Sequence, residues 1–220
     1  MRKIIAFSVF GDNPMYYQGV LRNIELLPAF YPDWECFVYY DNTTPESFRK
    51  ELLSTGVTTR DMTDSGIYGL FWRFLANDEN QDGYTIFRDA DSRISKREKL
   101  AVEEWIQSGK SLHVMRDHPA HRIPYGVAEM AILAGMWGIK AGLMKFEDSI
   151  RQFHKNGTMV YGSDQAFLLH IYKHFNKDMF VHDEFNGGNP FPIKRINYHF
   201  VGERFDANDQ RYPDYLALQR

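Results

Sequence analysis

The chain has 220 residues and a formal net charge of −3, with 44% hydrophobic and 25% charged residues. This composition is ordinary for one globular domain, and the charge excludes a general attraction to nucleic acid or anionic lipid. No apolar run approaches the roughly 18 residues of a membrane-spanning helix, so we expect no transmembrane segment.

The first predicted strand covers residues 3–11, KIIAFSVFG. Basic residues before an apolar run are also a feature of signal peptides, but this run is short, alternates like a strand and lacks a small-residue cleavage site. The single cysteine, Cys36, excludes a disulfide within the chain and fits a reducing compartment. We therefore expect a cytoplasmic protein that is not secreted.

Helices and strands alternate through the rest of the first half. The predicted helices cover residues 15–30, 43–56 with Thr44 as N-cap, 69–79, and 95–109 between Ser95 and Gly109. The predicted strands cover residues 35–41, 57–62, 84–89 and 111–115. This alternation indicates an α/β fold with a mainly parallel sheet flanked by helices. Ligands bind beyond the carboxyl ends of such strands, where Asp41 and Asp89 both fall.

The second half has a different pattern. Residues 115–142 are rich in His, Pro and Gly, which predicts a long loop that leads into a short strand around Trp137. Residues 162–175 predict a helix that begins at Ser163 or Asp164, and residues 191–209 predict a strand followed by a polar segment. We find no linker, so we expect one domain over 1–220, with a nucleotide-binding half at about 1–115 and an acceptor-side half with a C-terminal tail at about 116–220.

Two carboxylates, Asp89 and Asp91, follow the predicted strand YTIFR. Carboxylates at a strand tip repel each other unless a cation or hydrogen-bond donors lie between them. A divalent metal on a diphosphate is one solution, because oxygen ligands suit Mg²⁺ or Mn²⁺. The alternative is a solvated turn in which Asp91 or Ser92 caps the next element.

His199 is the candidate for a third metal ligand, because it follows β-prone residues near the C-terminus. Gly202, three residues later, could let backbone N–H groups approach a phosphate. A purely structural histidine is the alternative. His113, His118 and His121 could also suggest a zinc site, but their spacing matches no standard one.

The motifs in chain order resemble a known family. They are IIAFSVFG, Asp41, FWRFLA, RDADSR, AGMWGIKAG, GSDQAF and HFVG. Together they resemble the nucleotide-sugar glycosyltransferases of GT-A fold with a DxD motif, nearest the glycogenin-like and lipopolysaccharide galactosyltransferase group. The chain is also similar to small polysaccharide or capsid glycosyltransferases of bacteria and large algal viruses, which implies a bacterial or infected-host cytosol.

The resemblance implies a role for each matching residue. Asp89, Asp91 and His199 would hold Mn²⁺ or Mg²⁺, and Asp164 and Gln165 would be the catalytic Asp-Gln pair beside the donor sugar. Asp117, His118 and Trp137 would lie on the acceptor side. The residues that would bind the nucleotide-sugar are Phe7, Ser8, Val9, Phe10, Asp41, Arg73, Asp89, Gly202 and Arg204. The tail departs from the family pattern, because Arg204 stands two residues beyond the glycine and no Pro-Trp follows.

The resemblance implies a metal-dependent transfer of a sugar from a UDP-sugar to a glycan or glycoprotein, with retention. The chain could also be one module of a larger glycosyltransferase. Two alternatives stay open: a sugar-1-phosphate nucleotidyltransferase, for which the loop after the first strand is a poor match, and a catalytically inactive nucleotide-sugar-binding module. No G-x-S-x-G, Walker or C-x-x-C motif is present, which disfavours an α/β-hydrolase, a P-loop kinase and a thioredoxin-like enzyme.

Overall fold

A computed structural model describes residues 1–122, 131–155 and 157–219. Seven strands form one sheet: β1 (Arg2–Val9), β2 (Glu35–Tyr40), β3 (Thr58–Asp61), β4 (Gly83–Arg88), β5 (Leu112–Arg116), β6 (Met136–Lys140) and β7 (Met179–Asp183). The helices are α1 (Pro14–Phe30), α2 (Glu46–Ser54), α3 (Lys96–Ser108), α4 (Phe146–His154) and α5 (Ser163–Phe175). Three 3-10 helices cover Gly69–Asn77, Pro119–Arg122 and Pro213–Gln219.

The sheet has the strand order β3-β2-β1-β4-β6-β5-β7. Strands β1 to β4 pair in parallel, as β5 does with β7, whereas β6 runs antiparallel to both β4 and β5. The predicted α/β class with a mainly parallel sheet and flanking helices is therefore confirmed. The carboxyl ends of β1, β2, β4, β5 and β7 all lie at one edge of the sheet, which we call the carboxyl edge.

Both faces of the sheet are covered. On one face, side chains of β1, β4 and β6 pack with the 3-10 helix Gly69–Asn77 and with α4 and α5. On the other, side chains of β1, β2 and β4 pack with α1, α2 and α3. Strands buried on both faces form near-continuous apolar runs, as in "IIAF" of β1, because alternate residues enter different cores.

Several predicted elements differ from the structure. The segment Gly69–Asn77 is a 3-10 helix. Pro45 rather than Thr44 is the N-cap of α2, and the Thr44 hydroxyl donates to the Asp41 carbonyl oxygen at 2.7 Å. The predicted strand in residues 191–209 is absent from the described chain, where Arg204 and Phe205 form only isolated bridges. Strand β7 was not predicted. Within the described residues, no helix is both long and apolar enough to cross a membrane.

Candidate active site

The aspartate pair lies at the carboxyl edge, immediately after β4. Asp89 keeps 45% of its side chain exposed. Burial, together with the negative charge of Asp89, raises the pKa of Asp91 to about 7. Two carboxylates so placed are costly when both are ionised, which makes the pair receptive to a cation.

Arg73 joins Asp89 to a carboxylate from the other half of the chain. Its Nη1 lies 2.6 Å from Asp89 Oδ1 and its Nη2 lies 3.1 Å from Asp164 Oδ2. The Arg73 side chain is buried, and its backbone N–H donates to Ser8 Oγ at 2.9 Å. The structure therefore brings together four predicted site residues: Ser8, Arg73, Asp89 and Asp164. Ser8 takes part by accepting the hydrogen bond from the Arg73 backbone.

Asp164 and Gln165 lie in the first turn of α5, where the side chain of Asp164 is only 6% exposed. Burial raises the pKa of Asp164, although Arg73 acts in the opposite direction. In the amide orientation that satisfies both neighbours, Gln165 Nε2 donates to the Ile132 carbonyl oxygen at 2.8 Å and Oε1 accepts from Ala134 N at 3.1 Å. Gln165 therefore holds the segment that leads into β6.

Two glycines let other elements approach the aspartate loop closely. A Cβ on Gly19 of α1 would lie 2.1 Å from the Ala90 carbonyl oxygen, and one on Gly135 would lie 2.0 Å from Asp89 Oδ2. Asn23, one turn after Gly19, donates from Nδ2 to the Ser92 carbonyl oxygen and accepts from Ile94 N with Oδ1. The sequence analysis missed these residues, since neither glycine belongs to a pattern that indicates such contacts.

Tyr16, in the first turn of α1, is a second group that the sequence analysis missed. Burial raises the pKa of its phenol to about 12, and the charges of Asp91, Tyr161 and Asp89 add to the effect. Tyr16 therefore belongs to the surroundings of the aspartate pair. Its only sequence signal was its position just after β1, where helix α1 begins at the carboxyl edge.

The first strand supplies fewer side chains to the site than predicted. Phe7 and Val9 are buried in the core beneath α1 and α3, so their side chains do not face a nucleotide. The ring of Phe10 packs against Tyr68 and Trp72, with centroid distances of 6.0 and 5.6 Å. Period-2 alternation directs both side chains into the same core, which leaves only backbone groups for a nucleotide contact, and the role of Phe7 and Val9 stays a prediction.

Asp41 lies at the carboxyl edge after β2. Its Oδ1 accepts from Thr43 N at 3.1 Å and from the Thr43 hydroxyl, which in turn accepts from Gly11 N at 2.7 Å. Asp41 thus closes a turn and ties the end of β2 to the end of β1. Its role in holding a nucleoside stays a prediction.

The C-terminal tail packs against the aspartate loop, where Phe205 N donates to the Asp91 carbonyl oxygen at 2.8 Å. His199 is half exposed, and its Nδ1 lies 2.7 Å from Glu203 Oε2. No group of three or more His, Cys, Asp or Glu side chains within the described residues could hold a metal ion, so the structure does not assemble Asp89, Asp91 and His199 into a ligand set.

Gly202 and Arg204 have other contacts in the tail. Gly202 has φ +81°, and a Cβ there would lie 2.3 Å from Met136 Sδ. These two features account for a glycine at this position whether or not a phosphate binds nearby. Arg204 pairs with Asp214 at 3.0 Å, and its charge also reaches Asp91. Their predicted phosphate contacts stay predictions.

The three residues predicted on the acceptor side are buried, which corrects that assignment. Trp137 is in the core against Phe87, at 4.4 Å between ring centroids. Asp117 is fully buried and pairs with Arg97 at 2.7 Å and with Arg195. His118 is buried, and its Nε2 lies 3.0 Å from the Asp214 carbonyl oxygen.

His113, His118 and His121, the three histidines of the possible zinc site, also have structural contacts. His113 Nε2 lies 2.9 Å from His182 Nδ1, and His121 Nδ1 accepts from Asp117 N at 3.0 Å. His118 Nδ1 accepts from Ala120 N at 3.1 Å. Side-chain and backbone partners therefore occupy ring nitrogens that a zinc ion would need.

Comparisons with known proteins concern the fold. No protein-family model matches the sequence, and no curated protein matches it. Among solved structures, the chain is similar to an active-site mutant of LgtC, with a TM-score of 0.50, 16% identity, and coverage of 82% of this chain and 72% of that one.

Two further solved structures have similar folds. The mannosyltransferase PcManGT from Pyrobaculum calidifontis, in complex with GDP-Man and Mn²⁺, has a TM-score of 0.53, 12% identity, and coverage of 84% of this chain and 55% of that one. Glucosyl-3-phosphoglycerate synthase from Mycobacterium tuberculosis, in complex with Mg²⁺ and UDP, has a TM-score of 0.50, 12% identity, and coverage of 82% and 68%. The mixed seven-stranded sheet and its flanking helices thus have the GT-A, Rossmann-like fold of these glycosyltransferases.

Proposed function

We propose that the protein is a metal-dependent glycosyltransferase that moves a sugar from a nucleotide-sugar to a glycan or glycoprotein acceptor. The observation that carries the proposal is the convergence of Asp89, Asp91, Arg73 and Asp164 at the carboxyl edge of a GT-A fold. Ligands of open α/β sheets bind at this edge. The fold alone would not indicate function, but the carboxylates and the buried arginine form a site on it.

The aspartate pair fits a divalent cation. The carboxylate oxygens of Asp89 and Asp91 are the ligand type that Mg²⁺ and Mn²⁺ prefer. The pKa of Asp91 is raised first by burial and then by repulsion from Asp89, and a bound cation would offset both effects. When bound, the cation would neutralise charge on the departing diphosphate. His199 stays a candidate third ligand: its Nδ1 contacts Glu203, and a histidine that binds a metal through one nitrogen commonly bonds a carboxylate through the other.

We favour a UDP-sugar as donor because of the family that the sequence resembles. Tyr16, in the first turn of α1, and Asp41, after β2, are two side chains near the carboxyl edge that could contact the nucleoside. The solved structures with similar folds include complexes with GDP-Man and with UDP. Titration of the protein with UDP and GDP in the presence of Mn²⁺ tests the preference, since tighter binding of GDP contradicts it.

The position of Asp164 favours transfer with retention. An inverting enzyme needs a carboxylate base beside the acceptor hydroxyl. Asp164 is buried and ion-paired with Arg73, so it is poorly placed to accept a proton from an acceptor. Its contact with Arg73 instead orients the arginine that also holds Asp89. In the retaining mechanism the leaving phosphate can accept the proton from the acceptor.

The proposed function is tested by UDP release from a panel of UDP-sugars, with Mn²⁺ and with a chelator. We expect metal-dependent release by the wild-type protein, and Asp91→Asn should lose nearly all of it without loss of thermal stability. Asp33→Asn, at an exposed aspartate before β2, is the matched control and should keep full activity.

Each other outcome points to a different conclusion. UDP binding without turnover for any sugar would indicate an inactive binding module, and formation of UTP from UDP-sugar and pyrophosphate would indicate a nucleotidyltransferase. Unchanged turnover in Asp91→Asn would contradict the metal assignment.

A further inference from the structure

A second concave site lies at the carboxyl edge, beyond β5 and β7, and we call it the tail pocket. Its volume is about 640 Å³, which is in the range of small-molecule sites. It is lined by Pro119, Phe185, Arg195, Asn197, Tyr198 and Leu218. These residues come from the segments that follow β5 and β7, from the C-terminal tail and from the last 3-10 helix.

A network of charged side chains holds the wall of the tail pocket in place. Arg195 pairs with Asp117 and with Glu184, at 2.7 Å for the Glu184 contact. Arg97 pairs with the same two carboxylates, at 2.7 and 2.9 Å. Because Asp117 is fully buried, the network fixes the tail to the end of β5, and the pocket is formed before any ligand binds.

The charge of the tail pocket is balanced. Arg195 is the only charged side chain among the described residues that line it. The two arginines, Arg97 and Arg195, face the two carboxylates, Asp117 and Glu184, so the cluster carries no net charge. An anionic ligand would have to compete with these carboxylates for Arg195. A neutral ligand with hydroxyl groups fits the pocket better.

Two aromatic rings and an amide face the tail pocket. Phe185 is 39% exposed and Tyr198 is 45% exposed, and the Arg195 guanidinium lies 5.0 Å from the Phe185 ring centroid. Such rings bury apolar surface in flat contacts, which suits the C–H face of a sugar ring. Asn197 adds a donor and an acceptor for hydroxyl groups.

The backbone beneath these side chains is strained. Asn197 and Tyr198 have φ values of +51° and +60°, a region that side chains other than glycine rarely adopt. The Asn197 carbonyl oxygen accepts from Arg211 Nη1 at 3.1 Å, which helps to hold this conformation. Strained residues of this kind cluster where a protein contacts a ligand, and Asn197 and Tyr198 both line the pocket.

We propose that the tail pocket binds a neutral sugar unit of an oligosaccharide acceptor, an inference that rests on the proposed function. Asp89 follows β4, whereas the pocket lies beyond β5 and β7, so two to three strand spacings of about 4.8 Å each, or about 10–14 Å in all, separate the two along the sheet. One sugar cannot span this distance. The acceptor is therefore an oligosaccharide that is held in the tail pocket while its reacting end lies at the aspartate pair.

The test is a calorimetric titration, without nucleotide or metal, with neutral oligosaccharides of glucose, mannose and galactose and with acidic oligogalacturonate. We expect at least one neutral oligosaccharide to bind. Phe185→Ala and Tyr198→Gly should weaken that binding by about tenfold or more. Tyr198→Phe, which keeps the ring, should bind within a few-fold of wild type. Leu53→Ala, at an exposed leucine of α2 near the opposite edge of the sheet, is the control and should bind unchanged.

Three results would overturn the proposal: no binding of any neutral oligosaccharide, binding that Phe185→Ala and Tyr198→Gly leave unchanged, or binding of oligogalacturonate alone. Asp91→Asn separates this proposal from the proposed function, because it should bind the oligosaccharide as wild type does. Oligosaccharide binding without any UDP-sugar turnover would contradict the proposed function and leave the pocket assignment intact.

Discussion

At the scale of single residues, Arg73 determines how the candidate site is arranged. Its guanidinium contacts Asp89 after β4 and Asp164 at the start of α5, two carboxylates from distant parts of the chain. Breaking a buried ion pair by removing one partner leaves an uncompensated charge, at a cost of about 3–5 kcal/mol. Arg73 therefore contributes to stability as well as to the geometry of the site.

We expect Arg73→Met to lower the free energy of unfolding by about 3 kcal/mol, because Asp164 then stays buried without its partner. Urea unfolding at neutral pH measures the loss. The double variant Arg73→Met with Asp164→Asn should recover part of the stability, since it no longer buries a lone carboxylate. If the double variant is as unstable as Arg73→Met, the ion pair is not the cause.

Because His121 is buried, we expect the free energy of unfolding to depend on pH. Burial lowers the pKa of His121 to about 3, with the neighbouring His118 adding to the effect, and its Nδ1 accepts from Asp117 N, which a protonated nitrogen cannot do. The unfolded chain takes up a proton below about pH 6.5, whereas the folded chain does not until about pH 3. The stabilising contribution is therefore complete above pH 6.5 and is lost as the pH falls through this window.

We expect the wild-type protein to lose up to about 2 kcal/mol more stability than His121→Gln between pH 7 and pH 5. Urea unfolding of both proteins at the two pH values gives the difference, in which the effects of all other titrating groups cancel. Equal losses would mean that His121 is already exposed to solvent in the folded protein.

At the scale of elements, helix α1 shapes the aspartate loop from behind. Gly19 allows the helix to approach the Ala90 carbonyl oxygen, and Asn23 holds the backbone of Ser92 and Ile94. Alanine is a better helix former than glycine by about 1 kcal/mol. Contact with the loop opposes this preference, because a methyl group at position 19 would overlap the carbonyl oxygen.

Gly19→Ala should destabilise the protein by about 1–2 kcal/mol despite the gain in helix propensity, because the methyl group forces α1 away from the loop. It should also weaken Mn²⁺ binding in the presence of UDP. Gly157→Ala is the matched control, since a Cβ at Gly157 meets no atom within 4 Å. Thermal unfolding and metal titration of both variants test this, and a stabilised Gly19→Ala would contradict the close packing.

Elements with local signals could be predicted from the sequence. Strands β1 and β4 are apolar runs, and α3 begins after Ser95, whose hydroxyl accepts from Glu98 N, and ends at Gly109 with φ +70°. The tail could not be predicted in the same way. Asn197 and Tyr198 interrupt the predicted extended run with left-handed backbone, and the Asn197 carbonyl oxygen accepts from Arg211, which lies 14 residues later in the chain.

The position of a site residue could be predicted where its side chain directly follows a predicted strand, as at Asp89 and Asp91. It could not be predicted where burial depends on partners that are distant in the sequence. Asp117 has its charge matched by Arg97 and Arg195, which are 20 and 78 residues away. Trp137 faces Phe87 across two paired strands. No local pattern distinguishes such buried residues from exposed binding groups.

At the scale of the whole molecule, one strand joins the two halves. Strand β6 of the second half lies between β4 and β5 of the first half, and it pairs with both. The core on that side contains Phe87 from β4, Trp137 from β6 and Phe167 from α5. Of the two cores, the one on this face is therefore shared between the halves, whereas the buried residues of the other all come from the predicted nucleotide-binding half, about 1–115.

We expect the protein to unfold as a single unit. The transition in urea followed by tryptophan fluorescence should coincide with the transition followed by far-ultraviolet circular dichroism, because the shared sheet couples both halves. Two separate transitions would contradict the prediction of a single domain and indicate that the halves fold independently.

The place of β6 in the sheet also has a consequence for synthesis on the ribosome. The chain emerges with β4 and then β5, but these strands cannot become neighbours, since β6 must be inserted between them. Until residue 140 has left the exit tunnel, β4 has an open edge that can pair with another nascent chain. Nascent chains that stall between β5 and β6 should therefore be especially prone to aggregation and should depend on chaperones more than chains released after β6.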